Sequence, residues 1–279
     1  MKKIVFTGCS FTHAPDSWAH VSNPWIYTDE SKDEIQKRNN SFTHVEFLET
    51  FQTIERYEQQ YKIRCEKFGE EKSVNFKPEN LLNGVKKLPK EEYQIHILAS
   101  GGNSNIDNVR KIIHFYENDV DDIDTIIFQI TVDNRANLFR DYALNDSRNF
   151  IYRAKDHAFW YTKHDDVWFE KMHRIKNGHE GPVLSIEALQ HLVFFAKANN
   201  IKLKFFHGWD NFNGHSHFKY ISKKYYRHVT PNLLTDSNII DYAKTRLAPN
   251  DVFQHDDLHP SSVSQKLFWN EVVYPYLIK

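Results

Sequence analysis

Residues 2–13, "KKIVFTGCSFTH", run an apolar, β-branched segment into Gly8-Cys9-Ser10 and then turn polar. Such a run, closed by turn chemistry, reads as a buried strand. Three more runs share its character: "QIHILAS" (94–100), "DTIIFQIT" (124–131) and "IKLKFFHG" (201–208). Helical patterns separate them. In "NIDNVRKIIHFYEN" (105–118), Ile106, Val109, Ile112 and Ile113 form one stripe. In "SIEALQHLVFFAKANN" (185–200), Ile186, Leu189, Leu192 and Val193 do the same before an Asn pair. Strands alternating with helices of this length predict a parallel sheet covered on both faces.

The chain has 279 residues, enough for one sizeable α/β domain over residues 1–279. Residues 29–92 are charged and helix-prone, with Phe47, Leu48, Phe51, Ile54 and Tyr57 as the apolar positions, and read as a helical insertion between the first two strands. Residues 140–182, with "HAFWYTKHDDVWFEKMHR", read as an aromatic-rich loop insertion. Charge is balanced, 36 Lys+Arg against 37 Asp+Glu, so no basic field calls for nucleic acid. The two cysteines, Cys9 and Cys65, are too few for a disulfide framework. The apolar run before Thr7 is too short for a signal-peptide core and no stretch approaches a membrane span, so no membrane partner and a cytoplasmic location are expected.

In doubly wound sheets, ligands sit at the carboxyl ends of the strands, where Ser10 falls. A P-loop lacks its Lys-Ser/Thr here, and the G-x-S-x-G elbow fails because Thr12 stands at the second glycine. No G-x-G-x-x-G follows the first strand, which removes the dinucleotide-binding reading. Two further blocks matter. "VFQHDDLHPSSVSQKLFWNEVVYPYL" (252–277) holds Asp256-x-x-His259-Pro260 directly before an amphipathic helix. Three residues apart across one turn, a carboxylate can fix an imidazole in one tautomer and stabilise the imidazolium it becomes. "ASGGNSN" (99–105) puts Gly101-Gly102 at the end of the second strand, where backbone N–H groups can approach a ligand closely. A plain turn, and a histidine that only caps a helix, are the bland alternatives, and 16 histidines make any one of them cheap.

Together, Gly8-Cys9-Ser10-Phe11, Gly101-Gly102-Asn103-Ser104-Asn105 and Asp256-x-x-His259-Pro260 resemble the SGNH (GDSL-type) hydrolase superfamily. The likeness is greatest to variants with Gly-Cys-Ser-Phe-Thr associated with phage and bacterial genomes, which admits a virus-encoded origin. The resemblance implies a flavodoxin-like three-layer α/β/α sandwich with about five parallel strands in the order 2-1-3-4-5. It also implies a serine esterase or carbohydrate O-deacetylase that needs no cofactor and no metal. Carried over, Ser10 is the nucleophile, His259 the base and Asp256 its partner. The N–H groups of Ser10 and Gly102 are oxyanion donors. Asn103, Asn105 and Thr131 are expected at the substrate. The family's Gly-x-Asn-Asp block is missing from "QITVDNRANLF" (129–139), which leaves Asn134 as the nearest third donor and Thr131 as a weaker substitute. Losing one such donor costs ~10²–10³ in rate.

Other readings stay open on these residues. Cys9 as nucleophile is disfavoured, because neighbours in an extended segment point to opposite faces. His207, Asp210, His215 and His217 fit no zinc spacing. A decayed binding module and an O-acyltransferase using the same triad are the alternative functions.

Overall fold

Four segments of the chain pair edge to edge because each is extended and rich in β-branched and aromatic residues. A computed structural model describes residues 1–8, 53–86, 88–89, 91–99, 104–131, 180–208, 226–253 and 259–279. Strands β1 (Lys2–Thr7), β2 (Tyr93–Ile97), β3 (Thr125–Ile130) and β4 (Lys202–His207) form one sheet in the order β2-β1-β3-β4. All pairings are parallel, with Ile4 opposite Ile95, Phe6 opposite Ile127 and Phe128 opposite Phe205. Every residue of the central β3 is buried, as a strand covered on both faces requires.

The period of two divides the core. Ile4, Phe6, Ile95, Ile127 and Phe206 face one layer, and Val5, Ile126, Phe128, Leu203 and Phe205 face the other. The second layer is made of α3 (Asn105–Asn118) and α4 (Glu180–Ala198), which deliver Val109, Ile112, Phe115, Ile186, Leu189, Leu192 and Ala196. The expected stripes hold with one shift. On α3, Ile106 is only half-buried and Ile113 packs at the margin, while Phe115 enters the core. The first layer is made of α5 (Ile239–Lys244), α6 (Pro249–Val252), α7 (Ser262–Phe268), a π-turn (Trp269–Val273) and α8 (Tyr274–Leu277).

Where about five strands were expected, four are present among the described residues. The fifth position is marked by one parallel bridge, Leu233 to Phe205, with Leu234 N–H donating to Phe205 O at 2.8 Å. The segment does not extend into a ladder there: a 3₁₀ turn over Thr230–Asn232 with Pro231 at its start precedes it, and the Asn238 cap of α5 follows. The three-layer arrangement and the order of the four strands match the α/β/α expectation.

Within 29–92, the described part is helical: α1 (Thr53–Phe68), a 3₁₀ turn (Glu71–Phe76) and α2 (Pro78–Leu82). Phe47, Leu48 and Phe51 lie outside the described residues, as does nearly all of 140–182. Among the described residues, no helix is long and apolar enough to cross a membrane.

Candidate active site

The helices of a parallel α/β sheet return antiparallel to the strands, so their N-termini gather at the carboxyl edge, where β1 ends. Gly8, just beyond β1, is buried. Leu98 N–H donates to Phe6 O at 2.8 Å, so the chain entering the 101–105 block runs beside the end of β1. Ser104 caps α3, its Oγ accepting from Asp107 N–H at 3.0 Å.

Directly after that cap, Asn105 ties three segments together. Its Oδ1 accepts from Thr131 N–H at 2.8 Å and from Thr131 Oγ1 at 3.2 Å. Its Nδ2 donates to Thr131 O at 3.1 Å and to Ser185 Oγ at 2.5 Å. Asn105, Thr131 and Ser185 are all buried. The amide thus fastens the start of α3 to the end of β3 and to α4. Ser185 was not singled out in the sequence, where it looked like one more helix residue.

The carboxyl-terminal block begins at a closed neck. Phe253 and Pro260 form an antiparallel bridge, so the described chain on either side of residues 254–258 meets at one point. Carbonyls at the end of a helix have no partner within it, and around the short α6 each finds one outside. Asn250 O accepts from Arg64 Nη2. Asp251 O accepts from Ser261 Oγ. Val252 O accepts from Ser264 Oγ at 2.8 Å and from Ser261 N–H at 2.9 Å. Phe253 O accepts from Arg64 Nη1 at 3.1 Å. Ser261 also caps α7 by accepting from Ser264 N–H at 3.1 Å.

Arg64, from α1, is 2% exposed, and its guanidinium lies 3.6 Å from the Phe76 ring centroid. Burial pushes its pKa down, and the nearby Asp251 carboxylate works in the opposite direction. A guanidinium stays charged at neutral pH despite such a push. Two further bonds join the same pieces: Asn75 Nδ2 to Asp251 Oδ2 at 2.9 Å and Ser262 Oγ to Gln60 Oε1 at 3.1 Å. Arg64, Asn75 and Gln60 carry no mark in the sequence. An arginine in a charged helix reads there as a solvated one.

The direction of α7 fixes the edge to which the neck belongs. Leu277 O accepts from the hydroxyl of Tyr93, at the amino end of β2. Moving back along the chain, Trp269 meets Phe6 with ring centroids 6.2 Å apart, and Phe268 meets Phe206 at 5.2 Å. Both strand residues lie next to last in their strands. From Phe268 a further six helical residues back to Ser262, at ~1.5 Å each, climb ~9 Å beyond that level. The half-buried His259 and the bridge at Pro260 therefore stand on the carboxyl side of the sheet, the side on which β1 releases Gly8.

Of the residues marked in the sequence, His259, Asn105 and Thr131 are described; Ser10, Gly102, Asn103, Asn134 and Asp256 lie outside the described residues. His207 ends β4, and its companions Asp210, His215 and His217 also lie outside.

No family model matches the chain, and no curated protein matches it. Among solved structures, a crystal structure of an acetyl xylan esterase is similar at 12% identity and a TM-score of 0.39, over 99% of each chain.

Proposed function

We propose that the chain is a serine hydrolase of small esters, of the SGNH type, acting on O-acetyl groups such as those of carbohydrates. One observation carries the reading: the neck holding His259 and the exit of β1 toward Ser10 share the carboxyl edge of the sheet. The three sequence blocks supply the chemistry. Ser10 Oγ attacks the ester carbonyl carbon while His259 takes its proton. Asp256 holds the imidazole and stabilises its protonated form. The N–H groups of Ser10 and Gly102, with the Asn134 amide as third donor, hold the oxyanion of the tetrahedral intermediate. That intermediate expels the alcohol, which leaves with the proton from His259. Water, activated by the same imidazole, then cleaves the acyl-serine to carboxylic acid and free Ser10. Asn105 and Thr131, bonded to each other, brace the wall of this site.

A panel of esters of increasing acyl length, run on the wild type and on Ser10→Ala, tests the proposal. Turnover is expected to be greatest on acetyl esters and to fall at least ~10³-fold in Ser10→Ala. Equal hydrolysis by the two proteins would refute it.

A further inference from the structure

Resting on that reading of the site, we propose that Arg64 is a positioning residue for His259, acting through the neck that the Phe253–Pro260 bridge closes. The neck consists of the α6 end and the α7 start, with His259 immediately before Pro260. Its inner carbonyls are served by Ser261 and Ser264, which belong to the neck itself. Its outer two, Asn250 O and Phe253 O, are served by one guanidinium from an element nearly 190 residues away in sequence. Phe253 is the residue that bridges Pro260, so the bond from Arg64 Nη1 lands on the bridge beside His259. Only arginine spans both carbonyls, because its donors are fixed in one plane, whereas a lysine ammonium offers a point charge on a flexible stem. Phe76 below and Phe68 beside it, at 3.6 and 5.0 Å, hold that plane in place. Truncating the side chain would remove both bonds at once, including the one to the half-buried Phe253 that bridges Pro260. The base would then stand beside a bridge with one fewer tie, and near-attack geometry tolerates little displacement.

The test combines turnover with amide hydrogen exchange in Arg64→Met and Arg64→Lys. In Arg64→Met, kcat on p-nitrophenyl acetate is expected to fall about 10- to 100-fold with KM held, as for a lost charge-assisted pair of bonds. Exchange at Ser261, whose amide donates to Val252 O across the neck, is expected to quicken while the amides of β3 keep their protection. Arg64→Lys, with its charge kept, is expected to show both effects. If Arg64→Met does not fold, the lysine variant decides alone. Neck exchange at the wild-type rate would overturn the proposal, and so would faster exchange with undiminished kcat. A wild type showing no Ser10-dependent hydrolysis refutes the hydrolase reading and the catalytic role of Arg64 with it. The exchange result then reports separately whether the clamp exists.

Discussion

At the scale of single residues, buried polar groups separate into those that are satisfied and those that are not. Asn105 uses both ends of its amide on Thr131 and Ser185, all within a region closed to water. Asn105→Ala removes every one of these bonds and leaves the Thr131 N–H unpaired, so a loss of about 2–4 kcal/mol is expected in urea unfolding. Thr7 is the opposite case. Its hydroxyl is buried at the end of β1 and has no hydrogen-bond partner among the described residues. Thr7→Val keeps the shape and removes the orphan, so a gain of about 1 kcal/mol is expected, and a loss of that size would show that the hydroxyl is paired in solution. Gly208 illustrates close approach instead. A Cβ there would overlap Gln129 Nε2 and come within 3.1 Å of its Cδ. Gly208→Ala is expected to cost about 1–3 kcal/mol, most of which returns when Gln129→Ala is added. Additive losses in that double-mutant cycle would rule the contact out.

Elements were legible in the sequence where one physical signal dominated. The four strands stand out because each is a short run rich in β-branched and aromatic residues, and α3 and α4 because their stripes meet that sheet. The fifth strand was not, because whether "NLLTDSN" extends the ladder depends on the 3₁₀ turn before it. The cap of α7 was half legible. Pro260 directly before an amphipathic run announced a helix start, yet the second task of Ser261, donating to Asp251 O, has no sequence signature. Ser261→Ala therefore removes more than an ordinary cap. A stability loss of about 2 kcal/mol is expected, at the upper end for N-cap substitutions, and a loss of only a few tenths would argue against the second bond.

Across the whole molecule, the helical insertion is joined to the carboxyl-terminal layer by Arg64, Asn75 and Gln60, contacts that span more than 170 residues of sequence. No local pattern encodes such pairs, which is why three motif blocks could be read while the clamp beneath one of them could not. Charge at the rim adds little. Asp122, hydrogen-bonded by Lys3, has its carboxyl held below the usual range. A carboxylate lowered on folding lends stability above its unfolded value near ~3.9 and loses it as pH falls through the folded one. Solvent screening keeps that share under about 1 kcal/mol, so Asp122→Asn should flatten only the acid limb of a stability–pH curve. The larger claim is that the hydroxyl after β1 and the imidazole before α7 work as a pair. Mapping the adduct of a fluorophosphonate by peptide mass spectrometry, in wild type and His259→Gln, tests that pairing most directly. A phosphonylated Ser10 is expected in the wild type, with its rate of formation reduced at least ~10²-fold in His259→Gln. A folded wild type that stays unlabelled, or a Ser10 adduct that forms equally fast without His259, would contradict it.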